Sequence, residues 1–414
     1  MATHPFLKSI RPINLLSFGP NTEEIELRPL NILIGPNGSG KSNLIEIVRL
    51  LSCLPDKEPW ETVVQTGGVD EWVWKGPREK ASDASISARV SLARMALPEV
   101  VTDLAACDYS IALAKAQSTF HVKHESCRRV NVSKTDGEID AAFESNGTTG
   151  RLNSRQSLFN FSQDLTIPLD SERSVLSQRT SRSLQESLIG KYMPELFEVA
   201  EFFESFDFHQ DWEFGADLTP RAPIPAGQSI KQLEENGYNL AQMLAYFRDY
   251  HRPVSERIGE LMKRFYEPFE SLDVRVIGTH LQAAIYETGG FSTPAYRLSD
   301  GTLRALALLA ILLNPTPAPV TCIEEPELGL HPDAITTLAD LLRDASRSTQ
   351  LIVTTHSTAL VDAFSDEPDA VCVCEKVEGA TEIKRLDREE LEVWLKKYSL
   401  GNLWASGQIG GNRW

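Results

Sequence analysis

The chain lacks the features that would place it in or beyond a membrane. Its longest uninterrupted apolar run, Ala305–Leu313, is far shorter than the ~20 residues that cross a bilayer. Residues 1–10 hold neither a long apolar segment nor a small-residue cleavage site, so we expect no secretory signal. The 6 cysteines are scattered, which favours reduced thiols over a disulfide framework. Together these absences predict a cytoplasmic protein without membrane attachment.

An excess of positive charge is also missing. The 414 residues include 41 Lys and Arg against 58 Asp and Glu, for a net charge of −17. Such an acidic protein does not coat nucleic acid, so contact with DNA would need a local basic patch or a groove between two copies. Basic side chains cluster in residues 115–134, including Arg128 and Arg129, and in residues 151–182. A phosphate-binding patch and an ordinary solvated surface are both compatible with these clusters.

Hydrophobic periodicity predicts an α/β protein. A strand over residues 25–34 leads through a glycine-rich turn into a helix over 43–54. Apolar residues then recur with a period of two between 85 and 133, which predicts four antiparallel strands with one solvated face. Helical spacing returns over 229–268, and strands alternate with helices from residue 299 onward.

The predicted fold class is therefore a P-loop NTPase head with an antiparallel β subdomain and an inserted helical lobe. Residues 1–140 would form the first half of the core, 141–280 the inserted lobe, and 281–414 the second half. The chain closes with a segment rich in glycine and tryptophan, in which Trp394, Trp404 and Trp414 could dock on the head or form a partner surface.

The strongest motif follows the first predicted strand. It fits the pattern G-x-x-x-x-G-K-[ST], in which glycines let successive backbone amides face phosphates at the start of a helix. Lys41 would reach the β- and γ-phosphates of a nucleotide, and Ser42 would bind Mg²⁺. The residues predicted to hold the nucleotide here are Gly35, Pro36, Asn37, Gly38, Ser39, Gly40, Lys41, Ser42 and Asn43.

Two apolar strands downstream end in polar residues that suit phosphate chemistry. The strand over 320–323 delivers Glu324 and Glu325 at its carboxyl end, where α/β sheets bind ligands. One carboxylate would hold Mg²⁺ and the next would polarise the attacking water. The strand over 351–354 leads to His356, which could sense the γ-phosphate or be a structural histidine.

A fourth segment, Leu298–Thr302, precedes an apolar helix. Ser299, Asp300 and Gly301 are suited to capping that helix. The same residues could bind a phosphate through backbone amides and a hydroxyl. One chain cannot easily bring both this helix start and its own glycine-rich loop to one nucleotide.

Together the four segments resemble the ABC-class ATPase heads of the SMC, RecF and OLD families. The opening Ile13–Phe18 and the segment Glu324–Pro332 are similar to RecF-like bacterial ATPases and OLD ATPase domains. In this resemblance, Gly35–Ser42 is Walker A, Leu298–Thr302 is the signature motif, Ile323–Glu325 ends Walker B and Glu327–Pro332 is the D-loop. Glu325 would be the catalytic base and His356 the switch histidine, while Glu324 departs from the more usual Asp.

The resemblance implies that two copies sandwich two ATP molecules with Mg²⁺. Ser299 and Gly301 of one copy would touch the γ-phosphate held by Lys41 of the other, and hydrolysis would open the dimer. Gln65, before two glycines, is the candidate for the glutamine that contacts the metal, with a plain loop residue as the alternative.

The interval between Lys41 and Glu324 shows no sustained heptads, so the long coiled-coil arms of SMC proteins are not expected. No Asp-x-Asp pair is present, so we expect no nuclease of the type that OLD proteins carry. The resemblance implies work on DNA, in repair or in defence against phage, with a separately encoded nuclease or toxin as partner. The alternative is a nucleotide-gated scaffold that holds an effector with little need for hydrolysis.

Overall fold

A computed structural model describes residues 6–76, 83–92, 105–117, 119–130, 139–154, 165–179, 194–210, 214, 220–227 and 232–411. Trp414 and parts of both basic stretches lie outside these residues. The strands are β1 (Phe6–Ile13), β2 (Ile25–Glu26), β3 (Leu30–Ile34), β4 (Asp83–Leu92), β5 (Ala105–Ala116), β6 (Thr119–Val130), β7 (Ile139–Ser145), β8 (Thr149–Ser154), β9 (Leu165–Pro168), β10 (Asp207–His209), β11 (Ile224–Pro225), β12 (Phe269–Ile277), β13 (His280–Glu287), β14 (Phe291–Pro294), β15 (Val320–Glu324), β16 (Gln350–Thr354), β17 (Val371–Val377) and β18 (Ala380–Arg385).

The α-helices are α1 (Lys41–Cys53), α2 (Glu61–Gln65), α3 (Val69–Trp72), α4 (Val175–Gln178), α5 (Pro194–Glu204), α6 (Leu240–Tyr250), α7 (Arg252–Phe265), α8 (Asp300–Leu312), α9 (Ile335–Ala345), α10 (Thr358–Asp362), α11 (Arg388–Leu395) and α12 (Leu400–Ala405). Short 3₁₀ turns precede α8, α9 and β17. Within the part of the chain that is described, no helix has the length and hydrophobicity needed to span a membrane.

The central layer is a six-stranded sheet with the order β10-β15-β16-β3-β17-β18. Its strands are parallel except for β18, which pairs antiparallel with β17. Both faces are covered: on β3, Leu33 packs with α1 and β4–β6, whereas Ile32 and Ile34 pack with α6–α9. Burial on two sides explains why these strands are continuously apolar in sequence. The α/β fold class is confirmed.

An antiparallel sheet of order β2-β1-β4-β5-β6-β7-β8-β9 covers one face of the core. The prediction of four strands between residues 85 and 133 was wrong in dividing Thr119–Val130, which forms the single strand β6. The register shifts near His124 in β6, so Phe120 and Val122 point inward before the shift, and Glu125 and Cys127 after it. This bulge reverses the alternation within a single strand, which therefore looks like two.

Strand pairing continues past residue 140 through β7, β8 and β9. The first part of the segment assigned to an inserted lobe thus extends the antiparallel sheet. Helices α5, α6 and α7 follow, and α6 buries the predicted stripe that includes Leu240, Met243, Leu244 and Phe247. The division at residues 140 and 280 stays a prediction about domains.

The opposite face of the core is formed by α6–α9 and a small antiparallel sheet of β11–β14. Helix α8 is buried on nearly every side from Leu303 to Leu312. A helix enclosed in this way needs no polar face, which accounts for its almost unbroken apolar sequence.

Candidate nucleotide-binding site

The motif-bearing ends of three strands meet at one edge of the central sheet. Strands β15, β16 and β3 are consecutive neighbours and parallel, and Glu324 pairs with Thr354, which in turn pairs with Leu33. Neighbouring strands lie ~4.8 Å apart, so the ends of β3 and β15 are separated by about 10 Å. The glycine-rich loop after β3, the carboxylates after β15 and the histidine after β16 therefore surround one space.

The glycine-rich loop leaves no room for side chains at its two ends. Gly40 has a φ of 102°, and a Cβ built on it would overlap the hydroxyl of Thr381. A Cβ on Gly35 would overlap the carbonyl oxygen of Cys374. The Thr381 hydroxyl also donates a hydrogen bond to Ser39 O (2.8 Å). Glycine at both positions thus lets the loop lie directly on the hairpin of β17 and β18.

Lys41 is buried and points back into this loop. Its Nζ donates to Gly35 O (2.8 Å) and Pro36 O (3.1 Å). Asn37, Gly38 and Ser42 are exposed, and Asn43 is half-buried, so the outer side of the loop and the first turn of α1 face solvent. Amides in the first turn of a helix have no partner within the helix and carry its positive dipole end. The loop is therefore able to bind an anion.

Glu325 and His356 face each other across the ends of β15 and β16. Glu325 Oε1 lies 3.6 Å from His356 Nε2, and the side chains are 35% and 27% exposed, respectively. Glu325 has a φ of 44°, and its amide donates to Thr354 O (3.0 Å). A left-handed conformation costs about 1–3 kcal/mol at a non-glycine residue and is characteristic of functional sites.

The structure brings Gln210, not Gln65, to the carboxylates. Gln210 follows β10, the neighbour of β15, and its Nε2 lies 3.5 Å from Glu324 Oε2. Gln65 lies in α2, where its side-chain amide donates to Glu61 (2.9 Å). Sequence reasoning missed Gln210 because β10 has only three residues, too few for a periodic signal.

The glutamine after β10 is held by a polar cluster on α1. Arg49 Nε donates to Gln210 Oε1 (3.0 Å), and Gln210 Nε2 lies 3.4 Å from Glu46 Oε1. Burial raises the pKa of Glu46, while Arg49 acts in the opposite direction. Arg49 also pairs with Glu235. These contacts fix Gln210 between the helix that follows the glycine-rich loop and the end of β15.

Ser299, Asp300 and Gly301 form the outward-facing start of α8. Ser299 Oγ accepts from Thr302 N (3.1 Å), so the capping role predicted for it is present. Ser299 and Asp300 are exposed, and Asp300 pairs with the buried Arg221. A Cβ on Gly301 would overlap the carbonyl oxygen of Gly329. The start of α8 therefore presents polar groups to solvent while it packs closely on the turn that follows Glu325.

Arg304 joins the same helix to the end of β15. Its Nη1 donates to Glu325 O (3.3 Å). Burial lowers the pKa of Arg304, although the nearby carboxylates of Glu327, Glu325 and Asp300 act in the opposite direction. The helix that begins with Ser299 is thus in contact with the backbone of the residue that faces His356.

The C-terminal segment lies against the start of the glycine-rich loop. Trp404 is buried and donates from Nε1 to Gly411 O (2.8 Å), and Gly411 N donates to Glu375 Oε1 (2.7 Å). A Cβ on Gly411 would lie 3.4 Å from Gly35 Cα. Trp394, in contrast, is about half exposed. Of the two alternatives for the tryptophans, docking holds for Trp404.

Five basic side chains of the two basic stretches are paired with acidic residues. The pairs share one pattern, a Lys or Arg of the sheet or directly after α4 against a carboxylate nearby: Lys115 with Asp70, Lys123 with Asp83, Arg128 with Glu144, Arg129 with Glu195, and Arg179 with Glu204. Each pair reduces the local positive charge. These five positions therefore favour an ordinary paired surface over a phosphate-binding patch.

The family model described as "AAA domain, putative AbiEii toxin, Type IV TA system" matches residues 30–77 and 149–362. The chain belongs to this family. The matched ranges contain the glycine-rich loop, the start of α8, the carboxylates after β15 and His356. No curated protein is significantly similar to the chain.

Two solved structures show the same fold. An Smc head bound to the C-winged helix domain of ScpA is 14% identical, with a TM-score of 0.54 over 93% of this chain and 99% of that one. An Smc head with an extended coiled coil, bound to the C-terminal domain of ScpA from Pyrococcus furiosus, is 14% identical, with a TM-score of 0.52 over 95% and 99%. The fold is that of an ABC-type P-loop ATPase head.

Proposed function

We propose that this protein is a Mg²⁺-dependent ATPase of the RecF/OLD-like branch that closes as an ATP-bound homodimer. The observation that carries the proposal is the meeting of the glycine-rich loop, Glu325 and His356 at one edge of the central sheet. ABC-type heads use this edge for nucleotide, and the residue types here suit a triphosphate.

The chain's own groups fit ATP and Mg²⁺. Loop amides and the Lys41 ammonium would bind the phosphates, because the outer face of the loop is exposed and Lys41 is held inside it. Ser42 and Glu324 would supply oxygen ligands of the kind that Mg²⁺ prefers. Gln210 replaces Gln65 as the glutamine beside Glu324, which it contacts through its amide nitrogen while its oxygen accepts from Arg49. Bound Mg²⁺ would neutralise charge on the phosphates.

Glu325 is proposed as the general base. Its carboxylate is half-exposed beside His356, so it can accept a proton from a water molecule at the sheet edge while the imidazole orients that water. The left-handed backbone of Glu325 and its amide hydrogen bond to Thr354 O hold the carboxylate on the side of the histidine.

A second copy would complete the site. Ser299 and Asp300 are exposed at the start of a long buried helix, where free amides and a hydroxyl can receive a phosphate from outside. We propose that Ser299 and Gly301 contact the γ-phosphate bound by the other copy. Closure would then depend on ATP, and hydrolysis would release it.

We further propose that turnover drives DNA-related work, in repair or antiviral defence, through a separately encoded nuclease or toxin. This part rests on the resemblance to RecF and OLD proteins. Because several basic residues of the two stretches are paired with carboxylates, we expect contact with DNA in a groove that forms between two copies.

The test compares wild type with Glu325→Gln and Lys41→Ala. Removing the base is expected to slow phosphate release by roughly 10²-fold or more, while ATP still binds and a dimer accumulates in size-exclusion chromatography with light scattering. Lys41→Ala, the control for binding, is expected to lose affinity for a fluorescent ATP analogue. Turnover at the wild-type rate in Glu325→Gln would refute the assignment of the base. If cellular function survives without turnover, the protein acts as a nucleotide-gated scaffold.

A further inference from the structure

Glu327 occupies an unusual position in the turn that follows Glu325. Its Oε1 accepts hydrogen bonds from the Thr355 hydroxyl (2.5 Å) and from His356 N (3.2 Å). Its other oxygen, Oε2, is buried and has no hydrogen-bond partner among the described residues. Burial raises the pKa of this carboxyl, and the hydrogen bonds from Thr355 and His356 oppose that shift.

The turn itself does not need this carboxylate. Its backbone is closed by Leu328 N donating to Glu325 O (3.1 Å) and by Leu330 N donating to Glu327 O (3.1 Å). A buried oxygen without a partner costs free energy that an apolar side chain of similar size would avoid. The backbone of the turn would therefore close without a glutamate at this place.

Both side-chain hydrogen bonds of Glu327 lead to the switch-histidine loop. Thr355 is buried, and its hydroxyl also accepts from Ser357 N (2.9 Å), at the start of α10. Glu327 thus holds the Thr355 side chain and the amide of the Thr355–His356 peptide, while the imidazole of His356 faces Glu325 at 3.6 Å.

The same turn touches the start of α8. Gly329, two residues after Glu327, packs so closely on Gly301 that a Cβ there would overlap the Gly329 carbonyl oxygen. One short turn therefore connects the Ser299–Gly301 segment, through Glu327, with His356. A displacement of Gly301 would be transmitted to the histidine through these contacts.

We infer that Glu327 is a positioning residue that fixes His356 relative to Glu325 and links that position to the start of α8. The inference rests on the proposed function. A misplacement of about 1 Å at a catalytic group can cost ~10²-fold in rate, so Glu327 affects the chemical step. It makes no contact with the glycine-rich loop among the described residues, so ATP affinity depends little on it.

The experiment replaces the carboxylate in two ways. Glu327→Gln keeps an oxygen that can accept from Thr355 and His356, whereas Glu327→Leu keeps the volume and removes the acceptor. We expect Glu327→Gln to retain kcat within a few-fold and Glu327→Leu to lose roughly 10- to 100-fold, with the Kd for ATP unchanged in both. Asp333→Asn, an exposed acidic position in the same stretch, is the control and keeps the wild-type kcat.

A double-mutant cycle separates positioning from general damage. If Glu327 acts through His356, Glu327→Leu causes no further loss of kcat in a His356→Ala background. The inference would be overturned if the loss of kcat in the double variant equalled the product of the two single losses, or if Glu327→Leu kept the wild-type kcat. So would a parallel fall in ATP affinity and thermal stability.

A readout that needs no hydrolysis keeps this inference distinct from the proposed function. The imidazole NMR signals of His356, assigned with His356→Ala, should shift in Glu327→Leu and return to their wild-type positions in Glu327→Gln. Unshifted signals in Glu327→Leu would contradict the inference even if the ATPase assignment holds. If wild type does not hydrolyse ATP, or Glu325→Gln still does, the proposed function fails while the NMR result still decides whether Glu327 positions the histidine.

Discussion

Two consecutive arginines on β6 offer a direct test of how burial sets the strength of an ion pair. Arg129 pairs with Glu195 on α5 through two contacts of 2.5 Å, and the side chains are only 16% and 6% exposed. Arg128 pairs with Glu144 at 3.1 Å, and those side chains are 43% and 41% exposed. The strand, the residue type and the partner type are matched, so the pairs differ mainly in solvent access.

Removing one member of a buried pair leaves the other charge without compensation, which costs about 3–5 kcal/mol. We therefore expect Arg129→Met to lower the free energy of unfolding by about 3 kcal/mol. Arg128→Met should change it by about 0–1 kcal/mol, because water solvates Glu144 in either case. The double variant Arg129→Met with Glu195→Leu should regain most of the loss, since no unpaired charge remains.

Urea unfolding followed by circular dichroism measures all three variants. Equal destabilisation by Arg128→Met and Arg129→Met would refute the assignment of a buried pair, as would a double variant that is no better than Arg129→Met. The same proteins show whether a basic patch exists. If Arg128→Met weakens DNA binding and flattens its salt dependence, the surface contacts phosphates despite its pairing.

Two further predictions concern the glycine-rich loop and a buried carboxylate. Gly40→Ala should reduce ATP affinity by roughly tenfold or more, since a Cβ there overlaps Thr381. Gly38→Ala, at a φ of 76° in open space, should lose less, and equal losses in a fluorescent-nucleotide titration would contradict this reasoning. Burial raises the pKa of the Glu125 carboxyl above 4.5, its value in the unfolded chain. The folded state therefore holds the proton more tightly than the unfolded chain does. The contribution of Glu125 to the free energy of unfolding is complete below pH 4.5 and falls as pH rises through the higher pKa of the folded state. As pH rises, the free energy of unfolding of wild type should therefore fall relative to that of Glu125→Gln. Urea titrations of both proteins from about pH 4 to about pH 7 measure this difference in free energy of unfolding. A rise of wild type relative to Glu125→Gln over that range would contradict the prediction.

Local patterns predicted most of the core. Strand β3, the glycine-rich loop and α1 follow one another within a few residues, so their chemistry is visible in a short segment. The strands that end at Glu324 and Thr354 are apolar because both faces are covered, and their polar ends stand out for that reason. The helices of the second half, including α8 and α9, follow the alternation of strands and helices that was predicted from residue 299 onward.

Other features could not be predicted from local patterns. The bulge near His124 depends on how β6 pairs with β5, and it made one strand look like two. Gln210 reaches Glu324 only because the three-residue β10 adds to the edge of the sheet beside β15. The pairing of Arg129 with Glu195 joins residues far apart in the chain, so a count of basic residues could not show that the charge is neutralised.

By itself, then, the sequence determined which residue types stand at the end of each strand and the kind of ligand that suits them, because glycine, lysine and carboxylates act through chemistry that is local to the chain. Only the tertiary structure decided which of those residues meet. Strand order placed Glu325 against His356 and Gln210 against Glu324, and the packing of Gly329 on Gly301 brought Glu327 beneath the histidine. These contacts arise from sheet pairing and close packing between distant segments, which no single stretch of sequence encodes.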